Sequence, residues 1–346
     1  MRQMPLTQGI YLWIKNEYVA KVKLCRIRSG WLYDSIIDDL RKLKVSLHKA
    51  TVIKNGIVIP SYLQVNYEQY VQHIIDSLPE LLYAKPSEFL NKHIPDFEKL
   101  VSRQVVNEKI SIDGDDSESL SDRLVSIMRY NTVRKKIAPA FFRKLEVKSC
   151  VYCNANYAIT DAQNEAYFDM DHWKPKALYP YLCISFFNFQ PSCPSCNRRK
   201  NDSDGPFFGL WNDQNGTSLD VVDFELSNLS LVKYIVFGDK ADLSVSFVPS
   251  HPYDPQNVML RNVAEEKFHI EARYKEHNDI VEEVVWKKWI YNQSFVLSLR
   301  NALGYKIPSF VDVRRFILGT YADAEDIHKR PLTRMIHAVA KKVGVL

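Results

Sequence analysis

The chain has 346 residues, of which 46% are hydrophobic, 25% charged and 12% aromatic, the balance of a globular protein with length for two or three domains. No apolar run approaches the roughly 20 residues that a membrane span needs. The opening MRQMPLTQGIYLWIKNEYVAK is broken by Lys15 and Glu17 where a signal peptide would keep an uninterrupted apolar stretch, so a cytoplasmic protein without membrane contact is expected.

The net charge of +5 is unevenly spread. Residues 1–50 hold ten Lys or Arg against four acids, and a second basic cluster (Arg129, Arg134, Lys135, Lys136, Arg143, Lys144, Lys148) runs into the first cysteine pair. Basic patches beside a candidate site fit a polyanionic partner, although each alone also reads as a solvated helix face.

In chain order, the first sixty or so residues read as β-rich. IYLWI and YVAKVKL are expected as strands around Asn16-Glu17, and TVIKNGIVIP as a hairpin turning at Asn55-Gly56. From Tyr67 to about Val105 the period becomes helical, with Tyr70, Val71, Ile74, Ile75 and Leu78 in one stripe. The polar, acidic stretch 111–122 is the best linker or exposed loop, and Leu120 to Leu145 returns to helix. After the cysteine region, LSLVKYIVFG and DLSVSFVP read as strands. From Asn262 onward the chain reads as mostly helical, with a break near Ile307-Pro308. In that region Trp286, Trp289, Tyr291 and Phe295 have the spacing of a core stripe, while His251 reads as a loop residue and His269, His277, His328 and His337 as surface or partly packed residues.

The chemistry concentrates between Cys150 and Lys200. Four of the six cysteines form two Cys-x-x-Cys pairs, Cys150/Cys153 and Cys193/Cys196, whose sulfurs at this spacing can reach one metal. Two such knuckles make a tetrahedral structural zinc site. The 39 residues between them exceed a simple zinc ribbon, so something folded sits in the gap. EAYFDMDH alternates as a strand ending at Asp171-His172, Tyr181 to Phe189 is a second strand candidate ended by Pro191, and Cys196 to Lys200 reads as the first turn of a helix.

Hydrolysing a phosphodiester calls for a hard cation on oxygen ligands, a base near neutral pKa and a fixed orientation for that base. Asp171 suits the cation, His172 the base, Asn197 a neutral ligand from the helix, and Asn188 a brace for the loop around His172. Asp169 shares the strand parity of Asp171 and is a rival ligand. Arg198, Arg199 and Lys200, with Lys174 after the strand, are suited to phosphate contact.

Asp-His, then Asn, then Cys-x-x-Cys-Asn-x-x-Lys resembles the HNH (ββα-metal) endonuclease superfamily, in its zinc-stapled, McrA-like subgroup, over about 60 residues. Asn188 stands at the family's middle N, and Asn197 at a last position that is often histidine. The resemblance implies His172 as general base, Asn188 as the orienting catalytic residue, Mg2+ or Mn2+ on Asp171 and Asn197, and structural Zn2+ on the four cysteines. It implies an α+β chain with a central ββα-metal module at 119–215, led by the basic helix. A mixed β/α region at 1–118 and a β-then-helical region at 216–346 flank it, for recognition or regulation. The expected partner is nucleic acid, DNA before RNA, and a protein partner or activator is a further possibility. The C-terminal flank resembles bacterial HNH proteins encoded near anti-phage systems, which makes host defence an expectation. The rival reading is a zinc-stapled nucleic-acid-binding module without catalysis, to which the cysteines and basic clusters are equally suited.

Overall fold

A computed structural model describes residues 1–47, 51–54, 57–60, 66–112, 118–214, 216–303 and 313–345. The chain is mixed α and β, mostly helix with small sheets. Among the described residues no helix is long and apolar enough to cross a membrane.

The N-terminus corrects the β-rich expectation. Gln8–Trp13, Ile14–Tyr18 and Val19–Leu24 run end to end as helix, with a wider π-type turn in the middle. Ile14, Tyr18 and Val22 repeat every four residues, and all are fully buried, which gives the segment a helical core face. The Thr7 hydroxyl caps the first turn by accepting from the Ile10 amide.

The helices Leu32–Leu47 and Asn66–Leu81 pack on each other and bury residues three or four apart on one side, among them Ile36, Leu40, Val71 and Ile74. Beside them a four-stranded antiparallel sheet has the order Ile57–Pro60, Thr51–Lys54, Lys109–Ser111, Glu118–Ser119. The expected hairpin pairs Lys54 with Ile57, although its Asn55-Gly56 turn lies outside the described residues, as does the break near Ile307-Pro308. Both ends of the acidic stretch join this sheet, Ile110 pairing with Glu118, and its residues 113–117 lie outside the described residues.

The basic run is three helices, Leu120–Ile127, Tyr130–Lys136 and Ala138–Lys144, separated by a left-handed Arg129 (φ 53°) and by Ile137 ahead of Pro139. The Asp169–His172 strand then pairs antiparallel with Phe189–Ser192, and the helix Pro194–Lys200 follows directly. The second strand therefore starts where it was expected to end. Tyr181 to Asn188 is instead short 3₁₀ turns, at Pro180–Leu182 and Phe186–Asn188. Pro191 lies inside the strand, which is permitted because a two-stranded hairpin leaves each strand one unpaired edge.

LSLVKYIVFG is also helix rather than strand, Asn228–Phe237, capped by the Ser227 hydroxyl and closed by Gly238 at φ 75°. DLSVSFVP does provide a strand, Val245–Pro249, paired with Val222–Leu226 and covered by the helix Thr333–Val343. The aromatic stripe of the C-terminal helices faces outward: Trp286 and Trp289 are 51% and 58% exposed, because Asn278–Ile290 presents Val281, Val284 and Val285 to the core. His328 is buried, with Nε2 on the Arg2 carbonyl.

Met4–Pro5 pairs in parallel with Trp211–Asn212, so the N-terminus reaches the far side of the cysteine region. Phe186 sits at this junction, against Tyr18, Phe141, Phe142 and Trp211. Phe186→Ala is expected to cost about 3–5 kcal/mol by leaving a cavity where three segments meet. Urea denaturation checks this, and a loss below about 1 kcal/mol would mean that the segments are held together elsewhere.

Candidate metal centre and cleft

The two knuckles meet. The four sulfurs of Cys150, Cys153, Cys193 and Cys196 all lie within 4.8 Å of one another, and all four residues are buried. A tetrahedral Zn2+ at about 2.3 Å from each sulfur needs a cluster of this size. The surroundings suit thiolates: the Ala155 amide, the Asn156 side chain and Arg273 each donate to a sulfur at 3.4 Å, on Cys153, Cys193 and Cys196 respectively. Arg273, on the helix Ile270–Lys275, carries a positive charge toward a site whose four thiolates would outweigh a divalent ion.

The first knuckle is held from the C-terminal region, which no local pattern in the sequence announces. Asn154, left-handed at φ 49°, accepts from the Arg334 amide through Oδ1 and donates to the Ile327 carbonyl through Nδ2. Asparagine tolerates that backbone better than most residues. Tyr274 donates to the Cys153 carbonyl at 2.7 Å. The second knuckle opens the helix Pro194–Lys200, where the Cys193 carbonyl accepts from the Asn197 amide.

A cleft of about 290 Å³ lies over the hairpin and this helix, and Asp169, Asp171, His172 and Asn197 all line it. Asp169 and Asp171 share a strand face, and His172 joins them because the strand ends there. His172 is 3% exposed, and its Nε2 lies 2.9 Å from the Cys183 carbonyl oxygen. A carbonyl only accepts, so Nε2 carries the proton and Nδ1 keeps a lone pair. Burial holds the pKa down to about 3, so the ring is neutral over the ordinary pH range.

Asn188 is fully buried and does not line the cleft. Its Oδ1 accepts from the Lys174 amide, and its Nδ2 donates to the Lys174 and Leu182 carbonyls. These bonds close the loop that follows His172, so Asn188 braces that loop and does not face the cleft. Asn197 Nδ2 donates to Asp169 Oδ2 at 3.0 Å, so the candidate ligand from the helix stands beside the rival carboxylate. Asp171 Oδ2 accepts from Tyr152 at 2.6 Å and lies 3.3 Å from Lys200 Nζ.

Two of the four cations expected on phosphate are used inside the protein. Lys200 is 1% exposed and also donates to the His172 carbonyl at 2.7 Å, because the helix turns it back under the hairpin. Burial pushes the Asp171 carboxyl up and the Lys200 ammonium down, and their attraction opposes both shifts. Lys174 pairs with Asp204 at 3.3 Å. Arg198 and Arg199 remain exposed, and Arg198 lines the cleft. Arg134 and Lys176 line it too. Arg134 was visible in the sequence only as one member of a basic run.

No family model matches the chain, and no solved structure matches it. Over 55 residues it is 34% identical to Septu protein PtuB from Bacillus thuringiensis, a stretch covering 16% of this chain. The chain spans about a fifth of the length of that curated relative.

Two outcomes are expected here. Cys153→Ser or Cys196→Ser should abolish stoichiometric zinc in elemental analysis and remove the cooperative melt of the surrounding region. A variant that retains wild-type zinc would place the metal elsewhere. Lys200→Met should destabilise by about 3–5 kcal/mol, since it strands a buried carboxylate. A near-neutral value in urea titration would show that Asp171 is not relying on Lys200.

Proposed function

We propose that this chain is a metal-dependent nuclease of the HNH kind, with the hairpin Asp169–Ser192 and the helix Pro194–Lys200 as its ββα module. The observation that carries the reading is the orientation of His172. Its protonated Nε2 is tied to the Cys183 carbonyl while the ring lines the same cleft as Asp169, Asp171 and Asn197. A module that only binds needs no neutral imidazole fixed beside two carboxylates.

The residues suit the cation that the reaction requires, since carboxylate and amide oxygens are the ligands Mg2+ and Mn2+ prefer. Asp171 and Asn197 would hold it, with Asp169 as the competing carboxylate, and when bound it would supply a Lewis acid for the phosphate. His172 Nδ1 takes a proton from water as the water oxygen attacks phosphorus, and the negative phosphate in the cleft would offset the burial that holds the free ring at about 3. A new P–O bond forms as the ester P–O bond breaks, and the departing alkoxide takes a proton from solvent. Asn188 keeps the His172 loop closed, and Arg198 faces the phosphate chain. One such centre cuts one strand.

One contact favours the rival, a zinc-stapled binding module. Lys200 already gives Asp171 a cation, so Asp171 has a structural use. On the nuclease reading the flanks 1–118 and 216–346 serve target recognition or regulation, and the resemblance of the C-terminal flank, with the short match to Septu protein PtuB, supports a role in bacterial host defence.

Purified protein with Mg2+ or Mn2+ should nick a supercoiled DNA plasmid, and His172→Ala or omission of the divalent ion should each reduce nicking by at least about a hundredfold. Nicking that survives His172→Ala would sink the mechanism. A folded, zinc-loaded wild type that binds DNA without nicking it would favour the binding module.

A further inference from the structure

A second cavity, of about 520 Å³, adjoins the cleft and shares Arg134, Asp169 and Met170 with it. Its other lining residues include Lys135, Gln163, Asn164, Glu165 and Phe168. The second space is therefore a groove that adjoins the cleft, with Asp169 and Arg134 lining both.

Lys174 and Lys200 are paired with Asp204 and Asp171, whereas Arg134 and Lys135, like the exposed Arg198 and Arg199 of the helix, have no ion-pair partner among the described residues. Arg134 lies with its guanidinium carbon 5.7 Å from the Tyr130 ring centroid, and its buried Nε has no hydrogen-bond partner among the described residues. Tyr130 is itself anchored through its hydroxyl to the Met170 carbonyl. Arg134 is thus a cation braced at the junction without an ion-pair partner among the described residues, with Asp169 lining the same junction.

The opposite wall is a fixed turn. Asp161 Oδ1 accepts from the Gln163 and Glu165 amides, and Arg143 reaches the Ala162 carbonyl and Asn164 Oδ1. That turn carries the Gln163 and Asn164 amides, which both donate and accept. A bare phosphate needs neither amides nor an aromatic wall. A nucleotide needs cations for its backbone and amides or a ring for its base.

We propose that this groove is the binding site for the nucleotide next to the scissile phosphate, with the polynucleotide leaving the cleft past Arg134 and Lys135. The inference rests on the nuclease reading of the cleft and deepens it, because it assigns the strand a direction of exit and gives it a reading wall. Glu165 is the acid that works against binding on that wall. It keeps the groove from holding every polyanion equally, and it provides a test by gain of affinity.

The test uses the full-length, zinc-loaded chain in the His172→Ala background, with a short fluorescein-labelled DNA duplex and the corresponding single strand as probes. Adding Arg134→Ala and Lys135→Ala together should weaken binding about tenfold or more and lower the salt slope of log Kd by about one to two. Glu165→Gln should tighten binding several-fold, a change that no folding defect produces. Photo-crosslinking from a bromodeoxyuridine-containing strand should map to the segment 161–168. Unchanged affinity and slope in both sets of variants, or crosslinks confined to the Arg198 side, would overturn the groove. The two readings fail separately. Binding that follows these substitutions supports the groove even where wild type makes no nick. Nicking that ignores them leaves the nuclease reading and removes the groove.

Discussion

Four sulfurs gathered within 4.8 Å bring together two parts of the chain that are 39 residues apart in sequence. Everything at the cleft hangs from that closure. One knuckle leads through the insert to the Asp169–His172 strand, and the other opens the helix carrying Asn197. Thiols without a metal in so buried a place would gain little from being neighbours. The donors aimed at three of the sulfurs suit negative charge there. The hairpin has only four residues per strand, too little sheet to stand alone.

The second constraint is electrostatic. Asp171, Lys200 and the His172 carbonyl make a small buried network, with Tyr152 completing the carboxylate's bonds. Attraction between the two charges works against the cost of taking each out of water, and neither shift is reversed by it. The network gives the end of the strand a fixed position, so the neighbouring imidazole is held from both sides, by the backbone below and by Cys183 at Nε2. On the nuclease reading this is preorganisation: the base is neutral and oriented before any substrate arrives.

The flanks support the centre as well as surrounding it. Tyr18 reaches the Ile184 carbonyl, Tyr274 the Cys153 carbonyl, and Asn154 ties the first knuckle to residues 327–334. Phe186 gathers aromatic rings from the N-terminal helix and the basic helices around the second strand's approach. The N- and C-terminal regions are thereby tied directly to the elements that carry the cleft.

The cysteine pairs, the Asp-His at a strand end, the helix after Cys193 and the Thr51–Pro60 hairpin could all be read directly, because spacing and turn chemistry are local. Two of the errors fell on runs rich in strand-type residues. Thr7 and Ser227 cap IYLWI and LSLVKYIVFG as helices, and in the first of them tertiary burial of Ile14, Tyr18 and Val22 overrides residue preference. By itself the sequence determined which atoms are able to bind metal or move a proton. Only the tertiary structure decided which cations face the cleft: it turned Lys200 inward onto Asp171, paired Lys174 with Asp204, and left Arg134 at the junction of two cavities. The physical reason is that a charge's role depends on its nearest opposite charge and its access to water. Both are set by residues distant in the chain.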